Sequence, residues 1–312
     1  WLGWRWVFAP PALVSALALA SSPALLPRIS PAPASRLDVP GALLMTTGLW
    51  ALTYGLPAWV DNGGVATLMV TALGVVLLAA FVWVEARVPH PLLPLRLLRG
   101  AFRRLALLTI LLCAAASAAT NFFLSLFLQH VQGLSPLQTS AYFLPMLLIV
   151  GTGSLSGRWM GRFGPQRVAA AGLGTGAVSL FLLALWMVGS TVGVDGDTTA
   201  LRLALWSGLF LFPVGLGLSF SGSAVVALAG VSEQERGLAG GLVNTAMEIG
   251  PTIGLAVLVA VSRVKATSVV QAGLSWADAT AGGYALALQA TSLLFTLLFL
   301  AFLAALHRPE AG

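Results

Sequence analysis

Apolar positions fall along the chain in nine long blocks, at about 6–26, 39–57, 65–84, 105–130, 137–157, 168–190, 203–229, 237–262 and 283–306. Short polar or proline-rich stretches part them. Each block is long enough to cross a ~30 Å hydrocarbon core as a helix, the element that satisfies its own backbone groups in lipid. The period-two alternation that a membrane barrel requires is absent. The pattern predicts an all-α polytopic membrane protein with about nine transmembrane helices.

The block at 237–262, GLAGGLVNTAMEIGPTIGLAVLVAVS, carries an acid in its middle. At 1.5 Å per residue Glu248 lies ~16 Å from Gly237, about half-way through the core. A carboxyl at that depth costs about 2.5–3.5 kcal/mol and normally faces a cavity or a partner. Gly237, Gly241, Asn244, Glu248 and Thr252 form one small and polar stripe, while Leu238, Leu242, Ile249, Ile253 and Val257 occupy other faces. The stripe is expected to face protein or water. Glu248 is then either a proton-coupling carboxyl or a structural one bonded to Asn244 or a neighbouring helix. Pro251 removes a backbone donor beside it, so Gly250 and Pro251 are hinge candidates or a tolerated packing feature. Asn244, Asn121 in the fourth block and Gln289 in the ninth are candidate cavity groups, with interhelical hydrogen bonding as the alternative role. In the seventh block Gly215, Ser219, Gly222 and Ser223 share a side, which serves either close helix packing or a cavity wall.

Composition agrees: 58% of residues are hydrophobic, 8% are charged and the mean hydropathy is +0.93, which excludes an ordinary soluble domain. A net charge of +6 could suit nucleic acid, but the basic residues are confined to the connections between blocks, so no nucleic-acid partner is expected. Their distribution sets topology instead. With residues 27–38 placed on the cytoplasmic side, twelve arginines (Arg28, Arg36, Arg87, Arg96, Arg99, Arg103, Arg104, Arg158, Arg162, Arg167, Arg236 and Arg308) fall inside. Arg5, Arg202, Arg263 and Lys265 fall outside. Residue 1 then starts outside and residue 312 ends inside. Reading the first block as a secretory signal would put the arginines between 87 and 104 outside. The missing initiator methionine and the outward start lead us to expect an odd number of spans upstream, the chain being a C-terminal fragment.

Cys113 lies alone within a span, and His90 has no second ligand at metal spacing. No nucleophile elbow, His–acid cluster or zinc spacing is present, so neither an enzyme, a metal nor a cofactor is expected. Tryptophans 4, 6, 59, 83, 159 and 206 stand near block ends as interfacial anchors. The proline-rich stretch around 27–38 reads as an extended connector. EARVPHPLLPLRLLRGAFRR at 85–104 reads as a basic segment lying on the cytoplasmic interface against lipid headgroups. Gly157, Arg158, Arg162, Gly164 and Arg167 read as a tight turn whose arginines bond helix-end carbonyls or headgroups.

LQHVQGLSPLQTSAYFLP at 128–145 and GTGSLSGRWMGRFGPQR at 151–167, with GWRWVF, VPHPLLPLRLLR and GLAGGLVNTAMEIG in the same order, form the most specific wording of the chain. This text resembles the C-terminal half of the fourteen-span drug:proton antiporters of the major facilitator superfamily. The resemblance implies that 1–26 is the last helix of an N-terminal half, 27–38 a cytoplasmic linker and 39–84 an extra two-helix hairpin. Residues 85–104 would be the basic cytoplasmic loop, 105–306 a complete six-helix C-terminal half and 307–312 a cytoplasmic tail. It implies a gating role for Gly157, Arg158, Arg162, Gly164 and Arg167. It also implies a secondary active transporter in a bacterial-type plasma membrane, using protons to drive efflux of hydrophobic or amphipathic small molecules by alternating access. Such a fragment would not transport without its missing half. The alternatives are a proton-coupled transporter of one metabolite and a non-transporting scaffold. A mid-membrane Glu248 argues against the scaffold.

Overall fold

A computed structural model describes residues 4–25, 38–88, 98, 100–191, 199–273 and 275–307. The connector at 27–38, apart from Asp38, and half of the basic segment at 85–104 lie outside the described residues, as do Arg28, Arg36, His90, Arg96, Arg99 and Arg308. No strand occurs among the described residues. Among the described residues eight helices have the length and composition to cross a membrane, or nine if a bent pair is counted as one span. The all-α polytopic membrane fold expected from the apolar blocks is therefore the observed one.

The chain falls into two units, the first ending at residue 37. It contains a 3-10 turn, Trp4–Phe8, followed by α1, Ala9–Leu25. No residue of α1 is buried within this unit. The hydroxyls of Ser21 and Ser22 donate to carbonyls one turn back, which is how a hydroxyl is satisfied in an apolar surround.

The second unit opens with the hairpin α2, Val39–Asn62, and α3, Val65–Glu85. Asp38 caps α2, its carboxylate accepting from the Gly41 amide at 3.0 Å. Gly63 closes α2 in the left-handed conformation, φ 59°, which glycine adopts without strain. The helices touch where small residues allow it: a Cβ on Gly74 would stand 2.8 Å from the Leu52 amide nitrogen. At the opposite end the hairpin holds a feature its apolar text conceals. Asp38 and Glu85 are both buried, and their carboxylates crowd the same space over Gly41.

Six spans follow, formed by α4 (Ala101–Leu126), the pair α5 (Pro136–Tyr142) and α6 (Leu148–Phe163), then α7 (Pro165–Gly189), α8 (Thr199–Leu228), α9 (Arg236–Gln271) and α10 (Trp276–Leu306). A π-helical turn, Phe127–Val131, extends α4. The fifth apolar block is broken: α5 and the segment 144–163 meet at 43° around Phe143, where Pro145 cannot donate to the helix and the chain passes through a 3-10 turn, Leu144–Leu147. In contrast, α9 runs unbroken past Pro251 for 36 residues, well beyond the expected 237–262.

Packing organises the six spans around α4, α7 and α8. Helix α7 lies on α8 and α10, α4 on α8, α9 and α10, α6 on α8, and α2 on α9. Phe123, Phe127, Phe212, Phe295 and Phe302 are fully buried at the centre. The α7–α8 seam is built on small residues. A Cβ on Gly215 would lie 2.9 Å from the Gly172 carbonyl oxygen, and one on Gly222 would lie 2.7 Å from the Ala169 amide nitrogen. Gly215, Ser219, Gly222 and Ser223 thus serve close packing and not a cavity wall. Ser179 donates to the Gly208 carbonyl (3.0 Å) and Ser292 to that of Ala177 (2.7 Å), tying α7 to α8 and α10. At the arginine-rich end, Arg103 donates to the Ala229 carbonyl at 2.8 Å, joining the start of α4 to the turn after α8.

Candidate transport cavity and its rim

On α4 the residues Cys113, Ser117 and Asn121 recur at four-residue spacing, so they share one face. Across from them, α9 presents Met247 and Pro251, again four apart, while α8 contributes Leu216 and Phe220 and α6 contributes Ile149. Together, with Ala114 and Ala118 but without Asn121, these residues line a cavity of about 430 Å³. Its wall is almost wholly apolar, with the Ser117 hydroxyl and the Cys113 thiol as its polar groups. No charged residue lines it. An apolar chamber of this size accepts small hydrophobic molecules and offers little to a hydrophilic one.

None of the predicted polar residues lines this cavity, but three lie on the helices that do. Glu248 follows Met247 by one residue and Asn244 precedes it by one turn, so both sit beside the α9 lining positions. Both are exposed. The Glu248 side chain has no hydrogen-bond or ion-pair partner among the described residues, while its backbone carbonyl accepts from the Thr252 hydroxyl at 3.0 Å. A structural Glu248–Asn244 bond is not formed. Asn121 lies one turn beyond Ser117 and donates its amide to the Ser117 carbonyl at 2.7 Å, which leaves its side-chain oxygen available at the rim.

Gln289 is not brought to this cavity. It is exposed on α10 with Leu293, Leu297 and Leu300, while Leu288, Ser292 and Phe295 turn inward. An isolated amide in an apolar block gives no sign of which face carries it, and α10 turned out to expose this one. Gly250 packs: a Cβ there would overlap the Leu111 carbonyl oxygen of α4, so this glycine permits the α4–α9 contact. Pro251 supplies part of the cavity wall.

The arginine-rich turn divides in the same way. Gly164, φ 85°, is the turn between α6 and α7. Gly157 lies in the body of α6 with open space around it, so it makes no turn. Arg158, Arg162 and Arg167 are exposed, and Arg162 rests over the Phe163 ring at 5.2 Å. The expected bonds to helix-end carbonyls are not made by these three. Two features escaped sequence reasoning: the apolar cavity wall, which needs four helices to be placed, and the Asp38–Glu85 meeting, which joins residues 47 positions apart.

The sequence profile of the Major Facilitator Superfamily matches residues 1–255. The chain belongs to that superfamily. Among curated relatives, it is 31% identical to the tetracenomycin C resistance and export protein of Streptomyces glaucescens, over 82% of this chain and 47% of that protein. It is 32% identical to a puromycin resistance protein of Streptomyces alboniger, over 100% of this chain and 62% of the relative. It is 35% identical to a cephamycin export protein of Amycolatopsis lactamdurans, over 84% and 53%. This superfamily member thus spans about half the length of the relatives it matches. With its eight or nine apolar helices it is an integral membrane protein.

Proposed function

We propose that this superfamily member is the C-terminal part of a secondary exporter that moves hydrophobic or amphipathic small molecules outward by alternating access, driven by proton influx. The observation that carries the reading is the apolar cavity of about 430 Å³ between α4, α6, α8 and α9, with the exposed Glu248 next along α9 to the lining Met247. The names of the three relatives, all of resistance or export, support the direction of transport. In this reading α1 closes an N-terminal half, α2 and α3 are the extra hairpin of a fourteen-span protein, and α4 to α10 are the C-terminal half. The arginine-rich end is cytoplasmic by the positive-inside rule, in a bacterial-type plasma membrane. The exposed face of α6 and α9, which includes Gly157 and Gly241, meets the N-terminal half. Arg158, Gly164, Arg162 and Arg167 then gate the cytoplasmic contact.

Glu248 is the coupling candidate. Loss of its proton toward the cytoplasm would accompany uptake of a cationic amphiphile, and reprotonation from outside would release the cargo. Everted vesicles containing the full-length protein and an interior-acid gradient test this. A hydrophobic compound should dissipate the gradient only when the protein is present, and Glu248→Gln should abolish that response. If no compound does so, drug:proton antiport is wrong. Full activity of Glu248→Gln removes Glu248 from coupling. Export of one defined metabolite is the second reading, favoured by relatives named for single compounds. A response restricted to one chemical class would select it.

A further inference from the structure

On the side of the α4–α9 contact away from the transport cavity lies a second concavity, of about 320 Å³. Leu107, Leu108 and Leu111 of α4 form one wall, and Leu242, Ala246 and Ile249 of α9 form the other, with Thr245 between them. At 100° per residue, Thr245 and Ile249 stand about half a turn around α9 from Met247, which lines the cavity. No residue of α2 or α3 lines the groove. Arg104 stands at its arginine-rich end, beside Leu98.

Three observations make this groove amphipathic in a specific sense. Arg104 is exposed, and its guanidinium has no hydrogen-bond or ion-pair partner among the described residues, whereas the adjacent Arg103 is held by the Ala229 carbonyl. No carboxylate lines the groove. The first turn of α4 has Gly100 at its cap and no side chain bonded to its free amides, so its positive end adds to the field of Arg104. Below the charge the apolar walls run seven residues along each helix, ~10 Å, a depth that stays within one leaflet of a ~30 Å core.

We propose that this groove seats one anionic phospholipid from the leaflet at the arginine-rich end, its phosphate on Arg104 and the start of α4, and one acyl chain between α4 and α9. The charge requirement separates this seat from the general lipid belt: a phosphate completes Arg104, and a chain covers Leu108, which stands exposed among the described residues while Leu107 and Leu242 form the buried floor. The lipid would then hold the cytoplasmic ends of α4 and α9, the two helices that carry Cys113 and Met247, from outside the cavity.

Native mass spectrometry of the full-length protein, released from nanodiscs of mixed phosphatidylglycerol and phosphatidylcholine, tests it. Wild type should retain phosphatidylglycerol in preference, and Arg104→Gln should lower that retention about fivefold, the effect of losing one interfacial cation. Arg104→Lys should keep most of it. Ala246→Trp, which fills the groove, should lower retention of the same lipid with Arg104 intact. Arg87→Gln, which alters another exposed arginine outside the groove, should leave it unchanged. Equal retention of the two lipids by wild type, unchanged retention in Arg104→Gln, or an equal loss in Arg87→Gln would each overturn the proposal. Because Arg104→Lys and the wild-type lipid preference need no disruptive substitution, failure of one variant to fold would not protect it.

Discussion

Two sets of helical glycines have opposite surroundings. Along α7 and α8, Gly172, Gly215 and Gly222 stand against backbone atoms of the facing helix and Gly176 against the Phe295 ring of α10, so near that any side chain would displace its neighbour. Along α6 and α9, Gly157, Gly161, Gly237 and Gly241 face nothing within 4 Å of where a Cβ would be. Lipid supplies no hydrophobic force between helices, so close approach and dispersion do that work, and glycine permits them. A glycine in such a helix therefore marks a capacity for close contact without naming the partner. In α7 and α8 the partner is within this chain. In α6 and α9 the capacity is unused by the described residues, and the Asn244–Glu248 stretch lies on the same unused side.

The contrast can be broken from the closed side first. Gly215→Leu would drive a side chain into the Gly172 carbonyl and the Gly176 backbone, costing about 3 kcal/mol or more, at the upper end of overpacking. We expect the variant not to accumulate as monodisperse protein in fluorescence-detected size exclusion; near-normal accumulation would mean that the seam is loose. Ser292→Ala removes the buried bond to the Ala177 carbonyl and should cost about 0.6 kcal/mol, the scale of an interhelical bond in a membrane. A small drop in thermal midpoint checks it, and a large one would show that the hydroxyl does more than bridge α10 to α7. On the open side, Gly157→Ala and Gly241→Ala should leave stability unchanged or raise it by about 0.5–1 kcal/mol through helix propensity, while transport by the full-length protein falls. Unaltered transport would mean that these faces meet lipid only. Glu248→Gln should change stability least of all, within about 0.5 kcal/mol, because the exposed carboxylate has no partner to lose.

Much of the fold was legible because a membrane-spanning helix announces itself by length and apolarity alone. The nine blocks follow from local text, and so does the small-residue face Gly215 to Ser223, though the choice between packing and a cavity wall needed the facing helix. The break after Tyr142 also had a local cause in Pro145, yet Pro251 in α9 leaves its helix continuous, so a proline by itself does not decide between a broken and an unbroken span. The site was legible only by halves. A polar stripe such as Asn244 to Thr252 can be read from periodicity, and its residues Asn244, Glu248 and Thr252 are exposed on α9, the helix that also carries the lining Met247 and Pro251. The wall itself is made of Leu216, Phe220, Ile149 and Met247, residues whose chemistry matches dozens of others in the chain, and only their convergence distinguishes them. Gln289 failed for the mirror reason: its chemistry stood out, but its helix turns it outward. Asp38 and Glu85 stand at the two ends of a hairpin, and nothing short of its registry brings them together.

The length of α9 has one more consequence. Thirty-six residues at 1.5 Å per residue make a rod of ~54 Å, far longer than a ~30 Å core. Its last part, from Arg263 through the exposed Thr267 and Gln271, must stand clear of the hydrocarbon or tilt steeply within it. Because the rod is unbroken from Glu248 to Gln271, any swing of the carboxylate's helix is magnified at that outer tip. A spin label or fluorophore at Gln271 would read the motion of α9 from water, some 35 Å along the helix from Glu248, without a probe in the cavity.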